Sequence, residues 1–284
     1  MKFGTFLFQT QGSSLAAIAR KAEELGFESL WIPEHILLPV TYKSRYPYSA
    51  SGRLPAPPET PLHDPMLALA YVAGITSKIR LATGIFVVPL RNPFATAKAV
   101  ASLDVLSGGR FIFGVGIGWL EEEFAGVGMD FKDRARRTRE YIALMKELWS
   151  KREPVYHGRT VAIEGFGFEP KPAQKPHPPI VLGGHTEPSL KRAAQIGDGW
   201  YGIAEDLEQT RGIIARLREH ERAANRAAPL EITVSPRLGG QLTLEQAREL
   251  AAMGVARIIL AGGPGTRDAL AAMEHYQQNL LSKF

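Results

Sequence analysis

Short runs of apolar and β-branched residues alternate along the chain with longer stretches whose apolar residues recur at helical spacing. The first run, residues 2–8, predicts a strand. The helix predicted after it has apolar residues every three or four positions, Ser13 and Ser14 as caps, and Gly26 as its stop. This order of strand and then helix is the unit that the rest of the chain repeats.

Further strands are predicted at 28–32, 79–88, 110–116, 180–183, 199–203, 231–235 and 256–261. Further helices are predicted at 65–76, 93–106 (after an Asn92 cap), 134–150, 187–196, 207–224, 244–253 and 266–281. Eight strand-helix units indicate parallel pairing and predict an α/β fold, the closed (β/α)8 TIM barrel. A doubly wound open sheet is the alternative. Because no stretch has the composition of a linker, we expect residues 1–284 to form one domain.

Two connections, 33–64 and 150–179, are unusually long for a compact domain. The first follows the second predicted strand and carries Tyr42, Tyr46 and Tyr48, so in a barrel it would lie over the active face as a lid or pocket wall. The second follows the fourth strand-helix unit and predicts a small hairpin with its turn at 157–159. That hairpin could be a decorative insertion or could serve substrate binding.

Composition excludes several classes of protein. The 284 residues are 45% apolar and 22% charged, which is typical of a globular protein, and the absence of cysteine excludes disulfides, thiolate-held metals and a cysteine nucleophile. The net charge of +5 is dispersed, and the arginines between 134 and 139 are interpreted as a solvated helix face rather than a nucleic-acid surface. The longest apolar run, 111–120, is too short to cross a bilayer, and no signal peptide is recognisable. We therefore expect a cytoplasmic protein that binds neither nucleic acid nor membrane.

Polar or glycine-rich segments follow four predicted strands, where a barrel enzyme places its site. They are Glu34-His35, Thr83-Gly84, the run Gly114, Gly116, Gly118 and Trp119, and Gly183-Gly184-His185-Thr186. His35 beside Glu34 could exchange a proton near neutral pH, although a loop histidine taken alone is more often structural. No HExxH motif or carboxylate cluster is present, so no metal site is expected.

The glycines match neither a dinucleotide-binding fingerprint nor a P-loop, but they would let a planar cofactor approach the backbone. Residues 183–186 open a helix with Thr186 as predicted cap, which offers free N–H groups to a phosphate. Glu187 in that first turn suits the helix dipole but would repel an anion. A rival phosphate site is the glycine-rich segment 262–266, after the eighth strand.

These segments resemble the luciferase-like monooxygenase family of flavin and deazaflavin barrel enzymes, most closely its branch of coenzyme F420-dependent oxidoreductases. The resemblance is dense from residue 1 to about 203 and thin beyond it. It is carried by residues 22–35, 79–84, 89, 91–93, 103–110, 114–124, 157–159, 170–172, 178–185 and 197–200.

The resemblance implies a bacterial luciferase-like barrel, often a homodimer, with a tricyclic ring bound across the mouth. It implies His35 as the proton-transfer residue and Glu34 as its neighbour at the ring. The remaining implied contacts are the bulge Thr83, Gly84 and Ile85 behind the ring, sometimes with a cis peptide; Gly116, Gly118 and Trp119 beside it; and Gly183, Gly184, His185 and Thr186 at the phosphate. Glu187 departs from the small or polar residue usual there.

The implied function is hydride transfer between F420 and an unidentified small organic substrate, with His35 moving the accompanying proton. A second enzyme hypothesis is an FMN-dependent monooxygenase that uses oxygen and a partner flavin reductase. A third hypothesis, from a different class, is a flavin-binding barrel without catalysis. Similar rings and phosphate-bearing side chains leave the sequence unable to choose between the two cofactors.

Overall fold

The computed structural model describes residues 1–7, 12–237, 241–262 and 265–284. The strands are β1 (Lys2–Phe6), β2 (Ser29–Ile32), β3 (Arg80–Thr83), β4 (Phe86–Val87), β5 (Phe111–Gly116), β6 (Tyr156–His157), β7 (Ala162–Ile163), β8 (Ile180–Gly183), β9 (Gly199–Ala204), β10 (Glu231–Pro236) and β11 (Arg257–Ala261). The helices are α1 (Gly12–Glu24), α2 (Pro65–Ala73), α3 (Pro93–Leu106), α4 (Glu121–Gly126), α5 (Arg134–Ser150), α6 (Glu187–Ile196), α7 (Leu207–Ala223), α8 (Leu244–Ala252) and α9 (Thr266–Asn279). Short 3-10 helices occupy Val88–Leu90 and Leu281–Lys283.

Eight of these strands form a closed barrel. The order around it is β1, β2, β3, β5, β8, β9, β10 and β11, and β11 pairs with β1 to close the ring. All of these pairs are parallel, and a helix follows every strand before the next barrel strand begins. The predicted TIM barrel is confirmed, and the open sheet is wrong. The single domain spanning 1–284 stays a prediction.

The barrel is packed on both sides of its wall. Between wall and helices lies a large apolar core, which is why the strands read as nearly continuous hydrophobic runs. Inside the wall, inward-facing residues of six strands fill the lumen: Trp31, Ala82, Ile112, Val181, Tyr201 and Ile259. At the opposite end of the barrel from the strand carboxyl termini, buried Arg257 pairs with Glu28 (Nε to Oε2, 2.7 Å) and Glu231 (Nη1 to Oε1, 2.5 Å). A filled lumen leaves the mouth as the place for a site.

Several boundaries differ from the predicted ones. The predicted strand 79–88 is two strands, β3 and β4, separated by Gly84 and Ile85, whose peptide bond is cis. Helix α4 was not predicted, because six residues are too few to display helical periodicity. Helix α1 begins at Gly12, so the expected caps Ser13 and Ser14 lie within its first turn. Residue 8, expected in the first strand, lies outside the described residues.

The local signals for α3 are confirmed. The Asn92 side chain caps the helix by accepting from the N–H groups of Phe94 (3.0 Å) and Ala95 (3.1 Å), and Pro93 occupies the first turn. The short 3-10 helix Val88–Leu90 lies between this cap and the strand pair that carries the Gly84-Ile85 peptide.

The two long connections have different places. Residues 33–64 leave the carboxyl end of β2 without any helix or strand of their own, and they cover the mouth. The second connection contains the predicted hairpin, β6 with β7, and His157 belongs to its strand rather than to the turn. This connection begins where α5 ends, at the far end of the barrel, and Glu140 of α5 accepts from Thr160 N (2.7 Å). The hairpin is therefore docked on helix α5, outside the barrel wall.

Candidate active site

The four predicted site segments follow β2, β3, β5 and β8, which are consecutive neighbours around the barrel. Because the strands are parallel, all four segments emerge at the same rim. Ile85 lies where three of them meet. A Cβ built on Gly116 would lie 3.2 Å from Ile85 Cγ2, and one built on Gly183 would lie 2.2 Å from Ile85 Cδ1. Glycine at 183 thus leaves room for the end of the Ile85 side chain in its present rotamer.

The bulge residues before Ile85 belong to the barrel wall. Thr83 is fully buried, and its hydroxyl donates to the carbonyl oxygen of Gly114 at 2.7 Å. Gly84 packs so closely that an added Cβ would lie 3.1 Å from Phe6 and 3.3 Å from Trp31. The side chain of Thr83 therefore holds the wall together, while the backbone at 84–85 forms the surface behind the mouth.

His35 lies beside a partner that the sequence analysis did not single out. Its Nδ1 is 2.9 Å from Oε2 of Glu123, the third residue of α4, and the two side chains are 11% and 3% exposed. The other oxygen, Glu123 Oε1, accepts from the N–H of Ile36 at 2.6 Å and of Leu37 at 3.2 Å. Three consecutive glutamates at 121–123 share one local pattern, so only the fold distinguishes Glu123 from the other two.

Glu34 is directed away from His35 and into the protein. Its Oε2 accepts from Val87 N at 2.5 Å, and Oε1 accepts from Nε of Arg91 at 2.6 Å. Arg91 also pairs with Asp64 at 2.9 Å. Burial raises the pKa of the Glu34 carboxyl to about 7, although the Arg91 guanidinium and the Val87 N–H act in the opposite direction. Glu34 thus ties the end of β2 to the segment after the bulge.

Aromatic rings cover the mouth. Trp119 contacts His35 edge-on with ring centroids 6.1 Å apart, and Tyr42 and Tyr46 of the long connection at 5.8 and 5.2 Å. The turn before Trp119 uses Gly118 at φ +80°, a conformation in which Phe124 and Val87 leave no room for a Cβ. The Trp119 side chain therefore lies between the histidine and the tyrosines.

The connection 33–64 is anchored at both sides of the mouth. On one side, the Glu122 carboxylate accepts from Lys43 N at 2.6 Å and Ser44 N at 3.2 Å. On the other, Tyr48 stacks edge-on against His185 at 5.0 Å, and Arg237 donates to the carbonyl oxygen of Tyr48 at 3.0 Å. This placement agrees with the predicted lid or pocket wall.

His185 is held as a neutral ring. The N–H of Ile203 donates to His185 Nε2 at 2.9 Å, so Nε2 is an acceptor and the proton of the neutral ring is on Nδ1. Burial, followed by the charge of Arg216, lowers the pKa of His185 to about 4. Next to it, the indole N–H of Trp200 donates to the carbonyl oxygen of Gly184 at 2.8 Å. His185 can therefore donate a hydrogen bond at Nδ1 but brings no positive charge.

Helix α6 begins at the predicted place, after Thr186. The Thr186 hydroxyl lies 2.7 Å from the Ser189 hydroxyl instead of capping a backbone N–H. Glu187, expected to repel an anion, is exposed and pairs with Arg216 at 2.8 Å and His220 at 2.7 Å. The Arg216 guanidinium offsets part of the Glu187 charge, which weakens the objection to an anion at the start of α6.

Some of the basic side chains in and next to α6 are less exposed than the sequence analysis expected. Arg192 of α6 is 2% exposed, and its Nε has no hydrogen-bond partner among the described residues. The Nε atoms of Arg134, Arg136 and Arg137 are buried in the same way. Burial, with the charges of Arg139 and Arg134, lowers the pKa of Arg192 to about 10. Arg139 is exposed, as the solvated-face interpretation requires, whereas Arg134, Arg136 and Arg137 are half-buried with shielded Nε atoms. The interpretation therefore holds only in part.

The structure describes only part of the rival phosphate segment, 262–266. Residues 263 and 264 lie outside the described residues, while Gly265 precedes the first turn of α9. Within the described ranges, no three His, Asp or Glu side chains are grouped to hold a metal ion. In the same ranges no helix has the length and apolar character needed to cross a membrane.

The fold and the mouth together define a class: a parallel (β/α)8 barrel with a histidine and glycine-rich strand ends around one rim. The sequence model of the luciferase-like monooxygenases matches residues 1–282, and the chain belongs to that family. The family comprises oxidoreductases and monooxygenases.

Three relatives illustrate the range of the family. The Mycobacterium tuberculosis protein Rv0953c is 36% identical over 210 residues, which are 73% of this chain and 74% of that protein. Rv3520c of the same species, provisionally named a coenzyme F420-dependent oxidoreductase, is 34% identical over 151 residues, 49% of this chain and 44% of its own. The FMNH2-dependent dimethylsulfone monooxygenase of Pseudomonas putida is 26% identical over 198 residues, 69% of this chain and 54% of its own.

Solved structures share the fold at low identity. The monooxygenase RslO1 from Streptomyces bottropensis superposes with a TM-score of 0.78 at 22% identity, covering 100% of this chain and 99% of that one. The coenzyme F420-dependent tetrahydromethanopterin reductase from Methanopyrus kandleri gives the same TM-score and coverage at 19% identity. These likenesses extend over the whole barrel.

Proposed function

We propose that this protein is an F420-dependent oxidoreductase that transfers hydride between the deazaflavin and a small organic substrate, with His35 exchanging the accompanying proton. The observation that carries the proposal is the placement of His35. Its imidazole lies at the barrel rim, hydrogen-bonded to buried Glu123 and edge-on to Trp119. A histidine held in this way can act as a general acid or base near neutral pH.

The residues at the rim fit a planar cofactor with a phosphate. The backbone at Gly84 and Ile85, packed against Gly116 and Gly183, offers a surface without polar side chains for the ring. The buried and unpartnered Nε of Arg192 and the N–H groups at the start of α6 are donors suited to an anion. When bound, F420 would supply the hydride donor or acceptor, which no side chain can supply.

The chain itself would do three things. The rim would orient the ring, and His35 would give a proton to, or take one from, the substrate atom next to the transferred hydride. The connection 33–64, anchored by Glu122 and by the Tyr48-His185 contact, would limit water at the mouth. We keep Glu34, Thr83, Gly118, His185 and Thr186 as proposed site residues, with Glu34 acting through its bond to Val87 N.

The choice of F420 over FMN draws on the relatives. The F420-named relative is 34% identical in the matched half of the chain, against 26% for the FMNH2-dependent one. The latter supports the second candidate, an FMN-dependent monooxygenase that takes oxygen and is served by a flavin reductase. A flavin-binding barrel without turnover is the third candidate.

One experiment distinguishes the candidates. The purified protein is titrated with F420 and, separately, with FMN, and binding is followed by fluorescence quenching. We expect saturable F420 binding, no FMN binding at matched concentrations, and a reduced F420 complex that consumes no oxygen. Oxygen uptake coupled to product formation with FMNH2 and a reductase would establish the monooxygenase instead.

A homodimer is also part of the proposal. The neighbouring helices α2 and α3 expose large apolar side chains, among them Leu67 (74% exposed) and Leu106 (71%), with Tyr71 and Val105. Such side chains on adjacent helices suit burial against a second copy. Light scattering should give twice the 284-residue mass, and Leu67→Asp together with Leu106→Asp should halve it. A monomeric wild-type protein at micromolar concentration would contradict the dimer.

A further inference from the structure

The Glu123 carboxylate has a specific arrangement of donors. Its Oε1 accepts from two successive backbone N–H groups, those of Ile36 and Leu37, and its Oε2 faces His35 Nδ1 at 2.9 Å. A carboxylate can only accept in these bonds, so the imidazole must donate from Nδ1. In the neutral ring Nε2 then carries no proton and has a free lone pair.

We propose that Glu123 is a positioning residue that holds neutral His35 in the Nδ1–H tautomer and turns Nε2 toward the reacting substrate atom. This rests on the proposed function only in that His35 exchanges a proton there. The assignment of the tautomer itself rests on the hydrogen bonds of the protein. The remaining polar atom of His35, Nε2, makes no hydrogen bond to any described residue.

Helix α4 keeps this carboxylate in place. Phe124, the next residue, is buried in an apolar cluster with Val87 and Leu90, which lie in the segment after the bulge. On the other side of Glu123, the carboxylate of Glu122 binds the N–H groups of Lys43 and Ser44 in the long connection. The three residues together attach α4 to both the bulge and the connection, so the Glu123 oxygens have a fixed direction. A group whose position is set before the reaction costs no reorganisation during it.

Glu123→Gln and Glu122→Gln form a matched pair of variants. Each substitution removes one negative charge from α4, and each replaces a carboxylate that accepts hydrogen bonds from two backbone N–H groups. Of the two carboxylates, Glu123 contacts His35 and Glu122 does not. The glutamine amide at 123 can either accept from Nδ1–H or donate to an unprotonated Nδ1, so it no longer selects a tautomer. Circular dichroism establishes that each variant is folded.

The direct measurement is nitrogen NMR of protein labelled at histidine, with the His35 signals assigned from their loss in His35→Asn. We expect wild type and Glu122→Gln at alkaline pH to show a protonated Nδ1 and an unprotonated Nε2. Glu123→Gln should show both tautomers. An Nε2–H tautomer in wild type, or an unchanged tautomer in folded Glu123→Gln, would overturn the proposal. If the 123 variant does not fold, the wild-type spectrum still tests the proposal, because an Nε2–H tautomer there would refute it.

Turnover measurements distinguish a failure of this proposal from a failure of the proposed function. With F420 and any proven substrate, kcat of Glu123→Gln should fall about 10- to 100-fold, as expected when a general base loses the group that orients it, while the Kd for F420 stays within a few-fold. If His35→Asn retains full turnover, the proton-transfer role is wrong, yet the NMR result for Glu123 still stands. If the tautomer changes and kcat does not, the positioning role is refuted.

Discussion

Replacing Glu34 with glutamine gives a prediction about pH and stability whose sign comes from the structure. Burial raises the pKa of the Glu34 carboxyl to about 7 in the folded protein, against 4.5 for the free side chain. Between these two values the folded state binds a proton that the unfolded state has released. The stability that Glu34 contributes is therefore complete below pH 4.5 and is lost as the pH rises to 7.

The magnitude follows from the gap between the two pKa values. One pKa unit corresponds to about 1.4 kcal/mol, so the gap from 4.5 to about 7 corresponds to about 3 kcal/mol. Glutamine does not titrate and preserves the shape of the side chain. The unfolding free energy of Glu34→Gln minus that of wild type should thus increase by about 3 kcal/mol between pH 4.5 and 8.

Urea denaturation at half-unit pH steps measures this difference. Only its change with pH is used, because the glutamine amide facing Arg91 adds a constant cost. Glu122→Gln is the control. Desolvation would raise the pKa of the Glu122 carboxyl, but hydrogen bonds from Ser44 and Lys43 outweigh it and lower that pKa to about 2. The unfolding free energy of Glu122→Gln minus that of wild type should therefore be constant above pH 5. A difference for Glu34→Gln that is flat, or that decreases with pH, would mean that the Arg91 ion pair outweighs burial and would refute the reasoning.

Three further predictions concern the site and the core. His35→Ala should lower turnover by about 100-fold or more while F420 binding stays within a few-fold, and unchanged turnover would remove His35 from the mechanism. Arg192→Met should weaken F420 binding at least about 10-fold in fluorescence titration. It should not lower the unfolding free energy of the apoprotein, because an apolar side chain replaces a buried cation whose Nε has no hydrogen-bond partner among the described residues. Equal affinity would remove Arg192 from the phosphate site. Arg257→Met should cost about 3–5 kcal/mol in urea denaturation, since it removes the buried guanidinium from the Glu28 carboxylate and leaves Glu231 with Lys2 as its remaining ion-pair partner. A loss below about 1 kcal/mol would contradict this.

Much of the barrel follows from short-range patterns. Eight runs of β-branched and aromatic residues, each followed by a helical repeat, predicted the eight barrel strands, and three helices, α3, α5 and α6, have the predicted limits. Strand β3 is where this approach failed. Residues 79–88 are mostly apolar or β-branched, and hydrophobic periodicity does not indicate that the backbone leaves the ladder at Gly84 and returns at Phe86. Only the family resemblance implied a bulge there.

The sequence by itself also located the rim of the site, because residues after parallel strands must lie at one end of a barrel whatever their side chains contact. It could not select Glu123, since Glu121, Glu122 and Glu123 are locally equivalent and His35 is 88 positions away along the chain. Only closure of the barrel brings those two side chains together. The same holds for the charges near α6, where Arg192 is buried by packing. Hydrophobic periodicity reports which face of an element is buried, whereas hydrogen-bond partners and desolvation depend on which elements become neighbours in three dimensions.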